Sequence, residues 1–329
     1  MNARPRIPKM FDVERRYLRS SPPDLPSVIS CQFAGIGAPA EGMKKARIAV
    51  AVGSRGIANL REIVSIVIRI LRDAGAQPFI VPAMGSHGGA TPEGQAHVLA
   101  GYGVTPETMA VPFDTRMDVR WIGKSENGID VFFSVAAAEA DGIVLINRVK
   151  PHTDFTGTLG SGILKMIAIG LGKEKGAAIA HAASSRLGHE VVIRAVARVA
   201  LRATPILCGI AILEDQNHDT AELRVLKRES IEEEENTLFL RARSLMPSLP
   251  FDEIDLLIVD AIGKDLSGTG MDTNVIGRSV NGYSSSLIQA IPARPQIHRI
   301  FVRDLTQTTN GNAVGIGLAD FATTPSCEL

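Results

Sequence analysis

One unit that occurs twice in succession restricts this chain more than any other feature: an apolar run, a glycine turn, then a segment with helical periodicity. Residues 46–52 (ARIAVAV) run into Gly53-Ser54-Arg55-Gly56, and residues 60–74 (LREIVSIVIRILRDA) then carry apolar side chains at helical spacing until Gly75. Residues 78–81 form a second β-rich run and Gly85-Ser86-His87-Gly88-Gly89 a second turn. Thr91-Pro92-Glu93 opens a second helix as N-cap, first helical position and acidic first turn. Strands joined through helices lie parallel, so the fold class is α/β. Residues 130–134 and 142–147 (GIVLIN) read as the strands of a third and a fourth unit, the latter feeding Arg148-Val149-Lys150-Pro151-His152.

Residues 153–176 carry six glycines among small and apolar residues, too many for an ordinary core helix, and lead to a helix-compatible segment at 177–183. Residues 206–213 read as another strand. Residues 230–245 read as an exposed helix, with Ser230 and Glu233 at capping-box spacing and Glu232 to Glu235 as a solvated face. Met246-Pro247-Ser248-Leu249-Pro250 has the composition of a hinge. The expected organisation is an N-terminal catalytic domain over 1–245, with a largely parallel sheet flanked by helices, and a hinge at 246–251. A smaller, incomplete α/β C-terminal domain over 252–329 follows, with strands at 254–260 and 297–302, and the active site lies in the cleft between domains.

Thirty-five Lys and Arg balance thirty-five Asp and Glu, so no global field favours nucleic acid or an anionic membrane, and an anionic ligand must be met locally. The N-terminal MNARPRIPKM lacks an apolar signal core, and no stretch approaches the ~20 apolar residues of a membrane helix. Cys31, Cys208 and Cys327 form no cluster, which suits a reducing compartment; the expected location is the cytoplasm.

In open α/β sheets, ligands bind beyond the carboxyl ends of the strands, where turns distant in sequence converge. Arg55, His87 and His152 all follow predicted strands. Arg55 has the planar fork that grips a carboxylate, between glycines that allow close approach; the alternative is a surface arginine in a tight turn. Two imidazoles facing one substrate serve as proton acceptor and donor near neutral pH, which suits inversion of a stereocentre. His181, on a helix after the glycine-rich stretch, is a candidate nitrogen ligand for nickel, zinc or copper, but a metal held by one protein ligand needs an organic cofactor to complete its coordination. Lys165, in Gly162-Ile163-Leu164-Lys165-Met166, is either a desolvated nucleophilic amine or an amphipathic lysine reaching solvent. Lys173 and Lys175 read as exposed, and His97, His189, His218 and His298 as structural or surface residues.

The order Gly53-Ser54-Arg55, Ser86-His87-Gly88 before Thr91-Pro92-Glu93, Pro151-His152 before a glycine-rich stretch with Lys165, and then His181 resembles the nickel-dependent lactate racemase family, over roughly residues 40 to 280. The late motif from Gly263 to Asp272 looks like sequences in the same family, whose members include racemases and epimerases of 2-hydroxy acids. The resemblance implies an isomerase that inverts C2 of a 2-hydroxy acid, with His87 and His152 as the paired acid/base residues. It implies a nickel-pincer nucleotide as cofactor, with His181 as the nickel ligand, Lys165 as the tether and Ser54 as a further cofactor contact. Arg55 would orient the substrate carboxylate and Lys264 would be a second carboxylate contact. The implied partners are the small-molecule substrate and the enzymes of cofactor synthesis. Two other classes use the same residues: a metal-dependent hydrolase built on the histidines, and a noncatalytic anion-binding protein.

Overall fold

The computed structural model describes residues 10–17, 20, 23–37, 43–54, 56–153, 157–278 and 295–323. In chain order its main elements are α1 (Leu25–Gly35), β1 (Arg47–Val52), α2 (Leu60–Asp73), β2 (Gln77–Pro82), α3 (Pro92–Gly101), β3 (Val119–Lys124), β4 (Asp130–Ser134) and β5 (Gly142–Arg148). There follow α4 (Lys173–Leu187), α5 (His189–Ala203), β6 (Ile206–Glu214), β7 (Thr220–Lys227), α6 (Ile231–Ser244), β8 (Glu253–Val259), β9 (Gln296–Val302) and β10 (Phe321–Ala322).

The main sheet has the order β2-β1-β5-β6-β7, with only β7 antiparallel to its neighbour. Its inner strands are apolar at nearly every position because both faces are covered. Alternation along β1 divides the core: Ile48, Val50 and Val52 face one layer with α1, α2 and α3, while Ala49 and Ala51 face the other with α4, α5, α6 and β4. In α2 the buried Leu60, Ile63, Val64, Val67 and Leu71 form the helical stripe that the periodicity predicts. Thr91 caps α3 as expected, its hydroxyl accepting from the Gly94 N–H at 3.0 Å, with Pro92 in the first turn.

Two expectations require correction. The third strand, β4, does not join the parallel sheet; it pairs antiparallel with β3 through a turn at 125–128 in which Gly128 takes φ 75 and Ser125 accepts from the Gly128 N–H. The short, polar β3 (VRWIGK) lacks the apolar run that marks a buried strand, so β4 read without it looks like the start of another βα unit. At α6 the capping box does not form. Ser230 makes no cap, and its hydroxyl donates to Glu234.

Residues 245–252 lead to a second sheet, β10-β9-β8, all parallel, with its own apolar cluster around Ile262, Met271, Ile300, Val302 and Leu318. No helix among the described residues is long and apolar enough to cross a membrane.

Phe133 of β4 is wholly buried in the layer that holds α4 and α5. Phe133→Ala is expected to lower stability by about 3–5 kcal/mol, read as a shifted denaturation midpoint at unchanged slope, because the cavity cannot be filled without moving both helices.

Candidate active site

The pairing register sets the site. Val52 of β1 lies opposite Pro82 of β2 and Ile146 of β5, so β1 and β2 end level, β5 runs two residues further to Arg148, and all three release their turns at one edge. β1 and β2 wind to one side and β5 follows on the other, which makes this edge the point where strand order reverses, the location at which open α/β sheets bind ligands. A cavity of about 300 Å³ opens there. It is lined by Gly53 and Ser54 after β1, by Ser86 and His87 after β2, by Asn147 and Arg148 at the end of β5, and by the 150–153 segment that follows. Lys165, His181 and His189 line it from the crossover, and Gly268 from the loop after β8.

Close backbone contacts draw these turns together. A Cβ on Gly53 would stand 2.6 Å from Oδ1 of Asn147, whose Nδ2 donates to the Gly162 carbonyl at 2.8 Å. Lys150 and Ser161 exchange backbone hydrogen bonds at 2.9 and 2.8 Å, so the chain doubles back beside the end of β5. Arg148 is committed to this scaffold: it pairs with Glu214, which accepts from the Ala58 N–H at 2.7 Å, and it donates to the Gly56 carbonyl at 3.2 Å. Arg55, which follows Ser54 in the sequence, lies outside the described residues.

His87 is half-buried, and its Nδ1 stands 2.6 Å from the Ser54 hydroxyl, a hydrogen bond that holds the ring toward the turn after β1. His152 is also half-buried on the opposite strand turn. Its carbonyl accepts from Asn274 Nδ2 at 3.2 Å, and the Thr153 carbonyl accepts from the Thr273 hydroxyl at 2.5 Å. The His152 turn is thus held by a segment more than a hundred residues away.

Lys165 sits where a helical turn, Ile163–Lys165, passes into a π-helix over Met166–Gly170, a widened geometry often found at functional sites. Behind it, Glu235 of α6 is 1% exposed and accepts from the Leu164 N–H at 3.0 Å, while its other oxygen, Oε1, has no hydrogen-bond partner among the described residues. Gly162 leaves room for that oxygen, which a Cβ in its place would meet at 2.2 Å. The solvated-face reading of 232–235 is therefore corrected at Glu235: helix rotation turns it inward, and burial pushes its carboxyl up to about 7.

His181 lies on α4 beside Lys165. His181 keeps an exposed face, yet partial desolvation first, and the lysine charge second, shift its imidazole below the ordinary histidine range, which favours the form with a free lone pair. His189, the first residue of α5, packs edge-on against it, with ring centroids 6.2 Å apart and planes at 72°. That corrects the reading of His189 as a structural or surface residue, and it arises because the turn at Gly188, with φ 83, folds α5 back along α4. Lys173 is also corrected: it is 0% exposed, whereas Lys175 is exposed over the Phe132 ring. Lys264 is exposed and is not among the residues that line the cavity; its main-chain N–H donates to the Thr309 hydroxyl at 3.2 Å. No group of three or more potential metal-ligating side chains occurs among the described residues.

Residues 38–191 match the family described as the lactate racemase N-terminal domain. No curated protein matches the chain. Among solved structures, a protein from Thermotoga maritima is similar at a TM-score of 0.59 and 14% identity, over 87% of this chain and 72% of that one. The lactate racemase apoprotein from Thermoanaerobacterium thermosaccharolyticum is similar at a TM-score of 0.47 and 16% identity, over 89% of this chain and 71% of that one. The Thermotoga likeness shows a shared α/β fold.

A carboxyl raised to about 7 keeps its proton in the folded state at pH values where the unfolded chain, near 4.5, has released it. Wild-type stability is thus expected to fall as pH rises from 4.5 to 7 by up to about 3 kcal/mol from this group, and no further above that. Urea denaturation of wild type and Glu235→Gln at pH 5 and pH 8 checks this: the variant's stability relative to wild type should increase at pH 8, and an unchanged difference would refute the buried carboxyl.

Proposed function

We propose, from the relation of residues 38–191 to the lactate racemase family, that this chain is an isomerase that inverts C2 of a 2-hydroxy acid. The observation that carries the reading is the arrival of His87 and His152, from turns on either side of β1, in the one cavity at the strand-order reversal. In this reading 1–245 form the catalytic unit, 246–251 a hinge, and 252–329 a unit that closes on the substrate.

His87 and His152 are the acid/base pair. One accepts the substrate hydroxyl proton while the other serves the opposite face, and imidazole titrates close enough to neutrality to do both. Ser54 orients the His87 ring by its 2.6 Å hydrogen bond. Arg55 takes the substrate carboxylate in a bidentate grip, and Lys150 adds positive charge to a cavity whose described lining residues include no carboxylate, which favours an acid as ligand. Lys264 would reach the substrate only if the loop after β8, which lines the cavity at Gly268, closed further over it.

The donor set also fits the implied nickel-pincer nucleotide. Burial and the neighbouring Lys165 charge lower the His181 imidazole below the ordinary histidine range, which favours the neutral form a metal ligand needs, and Lys165 is near enough for both to engage one group. When bound, the cofactor supplies the hydride acceptor and donor that inversion at an unactivated carbon requires. His181 would hold its nickel and Lys165 its organic part, while Gly53 and Asn147 keep that wall of the cavity tight.

Protein produced together with the cofactor-synthesis enzymes is expected to carry nickel and to racemise one or more members of a panel of 2-hydroxy acids, read by chiral chromatography. His87→Ala and His152→Ala should each reduce kcat by about 10²–10⁴-fold with nickel retained. His181→Ala should lose the nickel, measured by elemental analysis. A wild type that carries no nickel and inverts no 2-hydroxy acid would overturn the reading.

A further inference from the structure

Lys173 takes no part in the chemistry proposed above, yet its ammonium is withdrawn completely from solvent. An apolar side chain of similar length would avoid desolvating a charge, so stability alone does not account for a lysine here. What the ammonium does is donate. Its Nζ donates to the Pro82 carbonyl at 2.7 Å, the last residue of β2, and to Oε1 of Gln95 at 3.1 Å. Gln95, itself 0% exposed, passes the connection on: its Nε2 donates to the Gly85 carbonyl at 2.8 Å and to the His87 carbonyl at 3.3 Å.

One ammonium and one amide therefore hold three carbonyls of the 82–87 segment, the turn that presents His87. The same turn is tied to the π-helix, the Gly85 N–H donating to the Gly170 carbonyl at 3.0 Å. Asp114 is the opposing charge nearby, and its carboxylate is engaged by Arg116 at 2.6 Å, so the ammonium keeps its short bonds to Pro82 and Gln95. Lys173 also begins α4 with a left-handed φ of 52, a conformation that a residue with a side chain adopts only when its surroundings demand it. Eight residues, or about 12 Å of helix, further on α4 carries His181.

We infer that Lys173, acting through Gln95, is a positioning residue that sets where His87 stands relative to the helix bearing His181. The inference rests on reading His87 as an acid/base residue, but the network is testable without turnover. Gln95→Glu keeps an acceptor for Lys173 and removes both donors to the turn. Lys173→Met removes the donors to Pro82 and Gln95.

The test measures the imidazole ring resonances of the cofactor-free protein by NMR, with His87 and His152 assigned from single substitutions and folding checked by circular dichroism. In folded Gln95→Glu protein the His87 resonance is expected to move while that of His152 stays in place. In the loaded enzyme the same variant should lose kcat by on the order of tenfold or more, with KM within a factor of about three and nickel content unchanged. An unmoved His87 resonance in folded Gln95→Glu protein overturns the inference, whatever Lys173→Met does to folding. Should the wild type show no inversion of any 2-hydroxy acid, the racemase reading fails by itself, and the ring resonances still decide the positioning.

Discussion

The in-register pairing of β1 with both β2 and β5 is the constraint on which the rest of this structure depends. Because Val52 is opposite Pro82 on one side and Ile146 on the other, β1 and β2 end at the same height and β5 only two residues beyond, so the turns that follow have to share one space. Backbone hydrogen bonds between buried strands leave no freedom to slip, since a shift of one residue would turn Ile48, Val50 and Val52 away from the helices that cover them. A glycine at 53 and an asparagine at 147 then let the turn after β1 touch the end of β5, and the Asn147 amide extends the contact to Gly162.

Around this edge, the long crossover from β5 to β6 does two jobs at once. It supplies Lys165, His181 and His189 to the cavity, and it brings α4 and α5 down on the sheet as ordinary apolar cover. The glycines that make 157–176 a poor helix are what these jobs require. Gly160 lets the returning chain lie against the Lys150 carbonyl, and Gly170 passes within reach of the Ala83 carbonyl, where a Cβ would come to 2.2 and 2.5 Å respectively. The widened helical turn at 166–170 and the inward carboxyl of Glu235 accompany that close packing rather than any periodic pattern.

Much of the site was legible because it lies in turns. His87 and His152 could be placed from the strand runs before them and the topology rule for parallel sheets, with no knowledge of packing. His189 could not, since it stands at the start of a helix and reaches the cavity only because α5 folds back at Gly188; the glycine between two helical segments was the available signal. Lys173 and Lys165 show the same difficulty from the other side. Both are lysines among small residues eight positions apart, and only the contacts of Pro82 and Gln95 tell the wholly buried one from the half-buried one.

What the amino-acid sequence determined unaided is therefore local: runs that must be strands, a helix with its cap at Thr91, and turns too rich in glycine to be anything else, with the polar residues those turns carry. Tertiary structure decided which of the polar residues face one another. It withdrew Lys173 and Glu235 from water, left Lys264 exposed, paired β4 with β3 instead of the main sheet, and set His189 against His181. The division follows from the physics. Periodicity and turn chemistry act over a few neighbouring residues, whereas burial of a charge is settled by hydrogen-bond partners contributed from segments tens of residues apart, and those partners exist only once the sheet has aligned its strand ends.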